Sequence, residues 1–264
     1  MISQHIILTF LTYFPVYAFL GWCLEVVYAS VNTGKFVNRG FLNGAVCPIY
    51  GLGASLLILL LTPLVDNVAL LYLISVLIAS LLELVGGYLL EKLFHMRWWD
   101  YSDEPFNIGG FICLKFSLLW GLAGVFLMKI IQPGISHLLF KLPILPVILL
   151  LIVFYLVFVS DITVTVIAIS HLNRDLKQVH ELSRMIRHGS DSLAENIGTL
   201  AVDAADKFEA QKAEFEKQKE ELLSKRSHVR TRLLTAFPKA KHDTEAKALA
   251  SMRKAYDSYK KNNS

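Results

Sequence analysis

Cysteine is scarce: three in 264 residues, Cys23, Cys47 and Cys113, scattered and without a C-x-x-C pair. That excludes a disulfide framework and the paired spacing of a structural zinc site, leaving buried reduced thiols. Charge is scarce too, at 18% of residues, and the opening Met1-Ile2-Ser3-Gln4-His5 holds no Lys or Arg. Without a basic start or a small-residue cleavage pattern, the first apolar run reads as a membrane span and not as a signal peptide. Several signatures are also missing. No G-x-x-x-x-G-K-S/T occurs, so the chain is not itself a P-loop ATPase, and it has neither a G-x-S-x-G elbow nor an H-E-x-x-H helix. No motif names a cofactor, and nothing points to nucleic acid.

What is abundant is apolar surface. Hydrophobic residues make up 54% of the chain and the mean hydropathy is +0.48, which marks an integral membrane protein whose first partner is the lipid bilayer. Five stretches approach the roughly 20 apolar residues that a spanning helix needs: about 6–30, 47–65, 69–90, 110–131 and 144–169. The second is interrupted by Gly51, Gly53 and Pro63 and fits a re-entrant or broken helix as well as a full span. Charge divides the chain in two. From Leu172 onward there are 19 Lys/Arg and 14 Asp/Glu, against 7 and 8 before it. The expected organisation is an all-α polytopic bundle over 1–171 and a helical arm over 172–264.

Loop charges orient it. Lys35 and Arg39 follow the first span and Lys92 and Arg97 follow the third, whereas the second loop has only Asp66; Lys129 and Lys141 in the fourth loop partly dissent. The N-terminus is therefore expected outside, with both basic loops and the arm in the cytoplasm. Within the arm, Leu172, Leu176, Val179, Leu182 and Ile186 recur at helical spacing. His188-Gly189-Ser190 predicts a break, Ser192-Leu193-Ala194-Glu195 a capping box, and the next helix is expected to reach about Thr235. A thin stripe of Leu193, Ile197, Leu200, Phe208, Phe215 and Leu222 predicts a coiled coil or helical hairpin, able to dimerise. A third, basic helix is expected over about 244–260, near anionic headgroups.

Acids in or near apolar spans stand out, because an unpaired carboxylate there costs a few kcal/mol. Glu25 sits near the end of span one, with Arg39 or Lys115 as available partners, and Asp161 lies among Ser160, Thr163 and Thr165 of span five, which can satisfy it as pure structure. Glu83, Gly87 and Glu91 share one side of span three, where Gly86-Gly87 permits close approach of another helix. That side leads into Trp98-Trp99-Asp100-Tyr101-Ser102-Asp103-Glu104-Pro105-Phe106-Asn107. Trp98, Trp99 and Tyr101 fit interface anchors. Asp100, Asp103 and Asn107 around Pro105 predict a fixed acidic turn. Glu91, His95, Asp100 and Asp103 together have ligand types for a divalent metal, but at no established metal spacing, so no metal site is assigned. A second loop, Gly34 to Gly44, sets Lys35 and Arg39 among glycines and asparagines, as a phosphate or headgroup site would.

The runs Phe19-Leu20-Gly21-Trp22-Cys23-Leu24-Glu25, Gly34 to Leu42, Cys47-Pro48-Ile49-Tyr50-Gly51, Glu91-Lys92-Leu93-Phe94, Trp98 to Asn107 and Ile112-Cys113-Leu114-Lys115 resemble a bacterial family of ABC-transporter permeases, CmpB type. The likeness covers about 13–135. It implies a multi-span protein of the bacterial cytoplasmic membrane that works with a separate ATPase subunit, although no EAA-like coupling loop is present. The reading that follows is a transporter permease subunit with a carboxylate-lined cleft opening to the cytoplasm. Its pathway residues are expected to be Glu25, Lys35, Arg39, Glu83, Glu91, Asp100, Asp103 and Asn107. The alternatives are a membrane-embedded enzyme using a buried acid on a lipid or headgroup substrate, and a membrane-anchored scaffold or sensor whose working part is the arm. Homo-oligomerisation through the C-terminal helices fits any of the three.

Overall fold

The computed structural model describes residues 2–195, 201–224 and 227–262, and the side chains of 7–188, 209–224 and 227–258. It is an α-helical bundle continued by a helical tail. The helices are α1 (Ile2–Thr33), α2 (Pro48–Leu61), α3 (Val68–Phe94), α4 (Leu114–Phe126), α5 (Gln132–Phe140), α6 (Ile144–Glu195), α7 (Ala201–Ser224), α8 (His228–Ala236) and α9 (Ala246–Asn262). A 3-10 turn, Thr62–Leu64, ends α2, and a π turn, Leu127–Ile131, joins α4 to α5. Short strands form two ribbons, with β1 (Met96–Arg97) against β4 (Lys241–His242) and β2 (Asn107–Ile108) against β3 (Ile112–Cys113).

Among the described residues, four helices are long and apolar enough to cross a membrane: Ile7–Thr33, Val68–Phe94, Leu114–Phe140 and Ile144–His188. The second expected span is the exception. Its apolar helix covers only Pro48–Leu64, because the chain before it does not stay outside the bundle. Cys47 N donates to Ala18 O at 2.9 Å, so between Thr33 and Cys47 the chain folds back along α1 by roughly 22 Å, at 1.5 Å per residue. From there α2 runs antiparallel to α1 with little space between them. A Cβ on Gly51 would stand 2.7 Å from Phe14 O, and one on Gly21 would stand 2.3 Å from Tyr50 Cβ. The second traverse is thus an inward loop followed by a short helix. At its far end, Tyr17, Ala54, Leu57, Ile58, Leu61, Leu71 and Met128 make one apolar core.

A second core lies at the other end of the bundle. Ile169, Leu172, Leu176, Val179 and Leu182 of α6 pack with Leu222, Leu233, Leu234, Leu249 and Met252 of α7, α8 and α9, and Met96 and Trp98 belong to the same cluster. The helix expected to stop at His188-Gly189-Ser190 continues to Glu195. One glycine costs a helix only about 1 kcal/mol, and α6 is anchored well upstream. The break falls later. Ser227 accepts from Arg230 N at 3.1 Å and starts α8, so the predicted helix to Thr235 is two. Phe215 and Leu222 of the expected stripe turn into the tail's own core; Ile197 and Leu200 lie outside the described residues, as do the side chains of Leu193 and Phe208. Inside this core Arg230 pairs with Asp175 at 3.2 Å, and both are largely buried.

Candidate functional site

The inward loop is held from two sides. Asp161 of α6 accepts from Asn43 N at 3.0 Å, Asn43 Nδ2 at 2.8 Å and Gly44 N at 2.7 Å. Such a carboxylate is satisfied by fixed amides and has a structural task. Asn38 braces the loop internally, accepting from Trp22 Nε1 at 2.7 Å and donating to Asn43 O at 2.9 Å. From the tail, Arg232 of α8 donates to Gly40 O at 2.5 Å, Phe41 O at 2.9 Å and Asn43 Oδ1 at 3.2 Å. Burial lowers the Arg232 guanidinium from its ordinary value and Asp161 partly restores it. The arginine is still charged at any physiological pH.

The acids behind the loops are each held by a phenol. Tyr50, at the start of α2, donates to Glu25 Oε1 at 2.7 Å, and Arg39 Nε lies 3.6 Å from Glu25 Oε2. Tyr101, from the acidic turn, donates to Glu83 Oε1 at 2.9 Å. Glu83 is 8% exposed, and its second oxygen is buried, with the Trp120 side chain in hydrogen-bonding range of the carboxylate. Tyr101 is within electrostatic range of both Glu83 and Glu25, and Tyr50 of Tyr101. Trp120 meets the Tyr50 ring edge-on at 5.8 Å, and Phe116 stacks on Tyr101 at 4.8 Å. Burial first, then the adjoining Glu83 charge, push the Tyr101 phenol above its ordinary value, so it stays a donor at neutral pH. Four helices and the acidic turn thereby bring two carboxylates and two phenols into one cluster.

The remaining acids of the cassette belong to a different group. Glu91 is bound by Arg97 through two hydrogen bonds, at 2.8 and 3.2 Å. The same guanidinium lies 3.6 Å from Asp100 and over the Phe111 ring at 4.5 Å. Asp100 also takes Lys241 of the tail at 2.5 Å. Partial burial would raise the Asp100 carboxyl, but the Lys241 and Ser102 hydrogen bonds outweigh it and hold it well below the usual carboxylate range. Asn107 closes the turn, donating to Ser102 O and Glu104 O and accepting from Gly110 N. Gly110 has φ +72°, and a Cβ there would meet Ser102 Oγ at 2.5 Å. Only glycine fits.

The eight expected pathway residues therefore separate. Glu25, Arg39 and Glu83 come together with Tyr50, Tyr101 and Trp120, while Glu91, Asp100 and Asn107 build the turn. Lys35 and Asp103 are exposed. At the Gly86-Gly87 pair, a Cβ on Gly86 would stand 3.6 Å from Ile49 Cδ1 of α2, while the closer approach at Gly87 is aromatic, a Cβ there standing 2.7 Å from Phe111 Cδ1 and 3.1 Å from Trp99 Cζ2. Trp98 is not at a lipid interface. It is 6% exposed, wedged between Phe41 at 5.2 Å and Phe237 at 5.0 Å. The metal grouping does not form either: His95 is taken by Asp243 at 2.9 Å, and among the described residues no His, Cys, Asp or Glu cluster has metal-binding geometry. A shallow depression on α9, lined by Ala250, Arg253, Lys254, Asp257 and Ser258, lies away from all of these.

Tyr50 and Arg232 were not among the expected site residues. Tyr50 had a signal, a tyrosine beside Gly51 opening a helix that must lie close to Glu25. Arg232 had none, being one of many cations in a polar tail.

Residues 12–166 match the family described as Putative ABC-transporter type IV, CmpB. The chain belongs to this family. The match takes in both motif loops and Glu25, Glu83, Glu91, Asp100 and Asp161, and it ends before the tail that packs on them. With its apolar helices it makes the chain a multi-pass membrane protein of the CmpB family. No curated protein and no solved structure matches it.

Proposed function

We propose that this CmpB-family chain is a transport component of the bacterial cytoplasmic membrane, with its N-terminus outside and its tail in the cytoplasm. Glu25 and Glu83 would line a cleft at the cytoplasmic mouth and take up a proton or small cation there. One observation carries the reading. Two carboxylates on separate helices, one of them buried, are each held by a phenol supplied by a family motif. Acids within a bundle at membrane depth serve ion or proton pathways far more often than they serve packing. A Tyr–Glu hydrogen bond suits that task, since the phenol holds the carboxylate while charged and can turn away when it is neutral. Glu91 and Asp100 are already committed to Arg97 and Lys241, so they shape the mouth and do not carry the ion. Lys35, exposed on the first motif loop, would add attraction for anions at the same mouth. A separate ATPase subunit is the partner the family description implies.

The experiment is proton flux into proteoliposomes of the purified chain loaded with a pH-sensitive dye, under an imposed potential. The wild type should dissipate the gradient faster than empty liposomes, and Glu83→Gln should fall to the empty-liposome rate while keeping its fold by circular dichroism. A fully active Glu83→Gln would remove the reading.

A further inference from the structure

The tail holds the first motif loop through Arg232 and grips the second through one short turn. β4 pairs with β1 so that Met96 faces His242 and Arg97 faces Lys241. Asp243 N donates to His95 O at 3.0 Å, and Lys241 reaches Asp100. Between β4 and α9 the turn is tied by His242. Its Nδ1 accepts from Glu245 N at 3.1 Å and from Thr244 N at 3.3 Å. Backbone amides can only donate, so these two bonds need Nδ1 without a proton and the hydrogen of the neutral ring on Nε2, while Asp243 Oδ1, 3.2 Å from Nδ1, would accept from it once protonated. The ring is 4% exposed and Nε2 has no partner. A protonated ring would lose the Glu245 N bond and the longer Thr244 N contact, although Thr244 N keeps Asp243 Oδ1 at 2.6 Å, and would place a cation at a helix N-terminus, the end that repels one.

We propose that the helical tail is an acid-weakened cap on the two motif loops, and that His242 is the group that senses the proton. The proposal does not depend on what the bundle transports. The charges around the ring are known. From its own turn, Asp243 and Glu245 favour protonation; from the end of α3 His95, and from α6 Lys177, oppose it, with burial opposing most. His95 stacks on the ring at 6.3 Å, and His180 of α6 holds Glu245 at 2.6 Å. The His95–Asp243 and His180–Glu245 pairs flank the same turn. Both histidines are about half exposed, and solvent-screened pairs contribute little. His242 lies below its ordinary value because burial disfavours its charge. The docked state thus binds fewer protons than the released one, and docking weakens as pH falls below about 6.5.

The test is a urea titration of tail release at pH 7.5 and pH 5, in detergent, read by the distance between spin labels on Asp103→Cys and Lys247→Cys in a Cys23→Ser background. The wild-type midpoint should fall at pH 5, corresponding to about a tenfold loss in the docking equilibrium for each unit by which the His242 value is lowered. His242→Asn offers a side-chain oxygen to the same amides at every pH, so its midpoint should be the same at both. His242→Ala should release early at both. His95→Gln with His180→Gln should leave the acid shift in place. A wild-type midpoint that does not move, or a His242→Asn midpoint that moves as far as the wild type's, overturns the proposal. If His242→Asn fails to dock, the 15N shifts of the His242 ring decide it: a proton on Nδ1 at pH 7.5 is incompatible with the cap.

Discussion

Arg232→Met removes the guanidinium fork from Gly40 O, Phe41 O and Asn43 Oδ1 while keeping most of the side chain's apolar length. Three acceptors of the inward loop then lose their donors. A hydrogen bond to a charged group contributes about 1.5–3 kcal/mol, and the three share one side chain and are not additive, so the loss should be about 3 kcal/mol. Asp161, left facing the site without that cation, still has its amides and adds little. At roughly 2–4 °C per kcal/mol for a chain of this size, the apparent melting temperature in detergent should fall by about 6–12 °C. Arg232→Lys keeps the charge and one contact and should fall by less. In a double-mutant cycle with Asn43→Ala, the two losses should overlap because both remove the same bond. A fall below about 2 °C for Arg232→Met, within the scatter of surface substitutions, would show that the tail does not hold the loop.

Trp98→Ala should destabilise by about 3–5 kcal/mol, because the indole fills the junction between Phe41 and Phe237; denaturant unfolding of the tail checks it. Gly21→Ala puts a methyl 2.3 Å from Tyr50 Cβ and Cγ. It should cost about 1–3 kcal/mol and, by moving Tyr50 off Glu25, lower flux in proteoliposomes. The Asp100 carboxyl, held below its ordinary value, contributes stability that is present above about pH 4 and lost as pH falls further. Asp100→Asn should therefore flatten the acid limb of the melting temperature below pH 4, and an unchanged limb would assign it to other groups.

The helical bundle was legible because apolar runs of spanning length leave little alternative in a bilayer. The second traverse was legible only as an ambiguity. Gly51, Gly53 and Pro63 showed that it was irregular, but the inward fold depends on Asp161 binding Asn43 and Gly44, a contact across more than a hundred residues. For the site, the acids announced themselves by their cost in an apolar setting, and Glu25 and Glu83 do share a cluster. Glu91 could not be told from them by spacing, since its pairing with Arg97 requires the chain to turn back at His95, which takes a left-handed φ of 55°. Trp98 was misread for a related reason. A tryptophan at a span end fits the interface equally well, and what decides otherwise is Phe237, which follows α8 and belongs to none of the periodic stripes.

The most direct measurement compares dye-reported proton flux through Glu83→Gln, Tyr101→Phe and Asp103→Asn in matched proteoliposomes. The account predicts flux at the empty-liposome rate for Glu83→Gln, reduced flux for Tyr101→Phe, which loses only the hydroxyl on Glu83, and wild-type flux for exposed Asp103→Asn. Equal flux through all three, or a loss in Asp103→Asn as large as in Glu83→Gln, would contradict it.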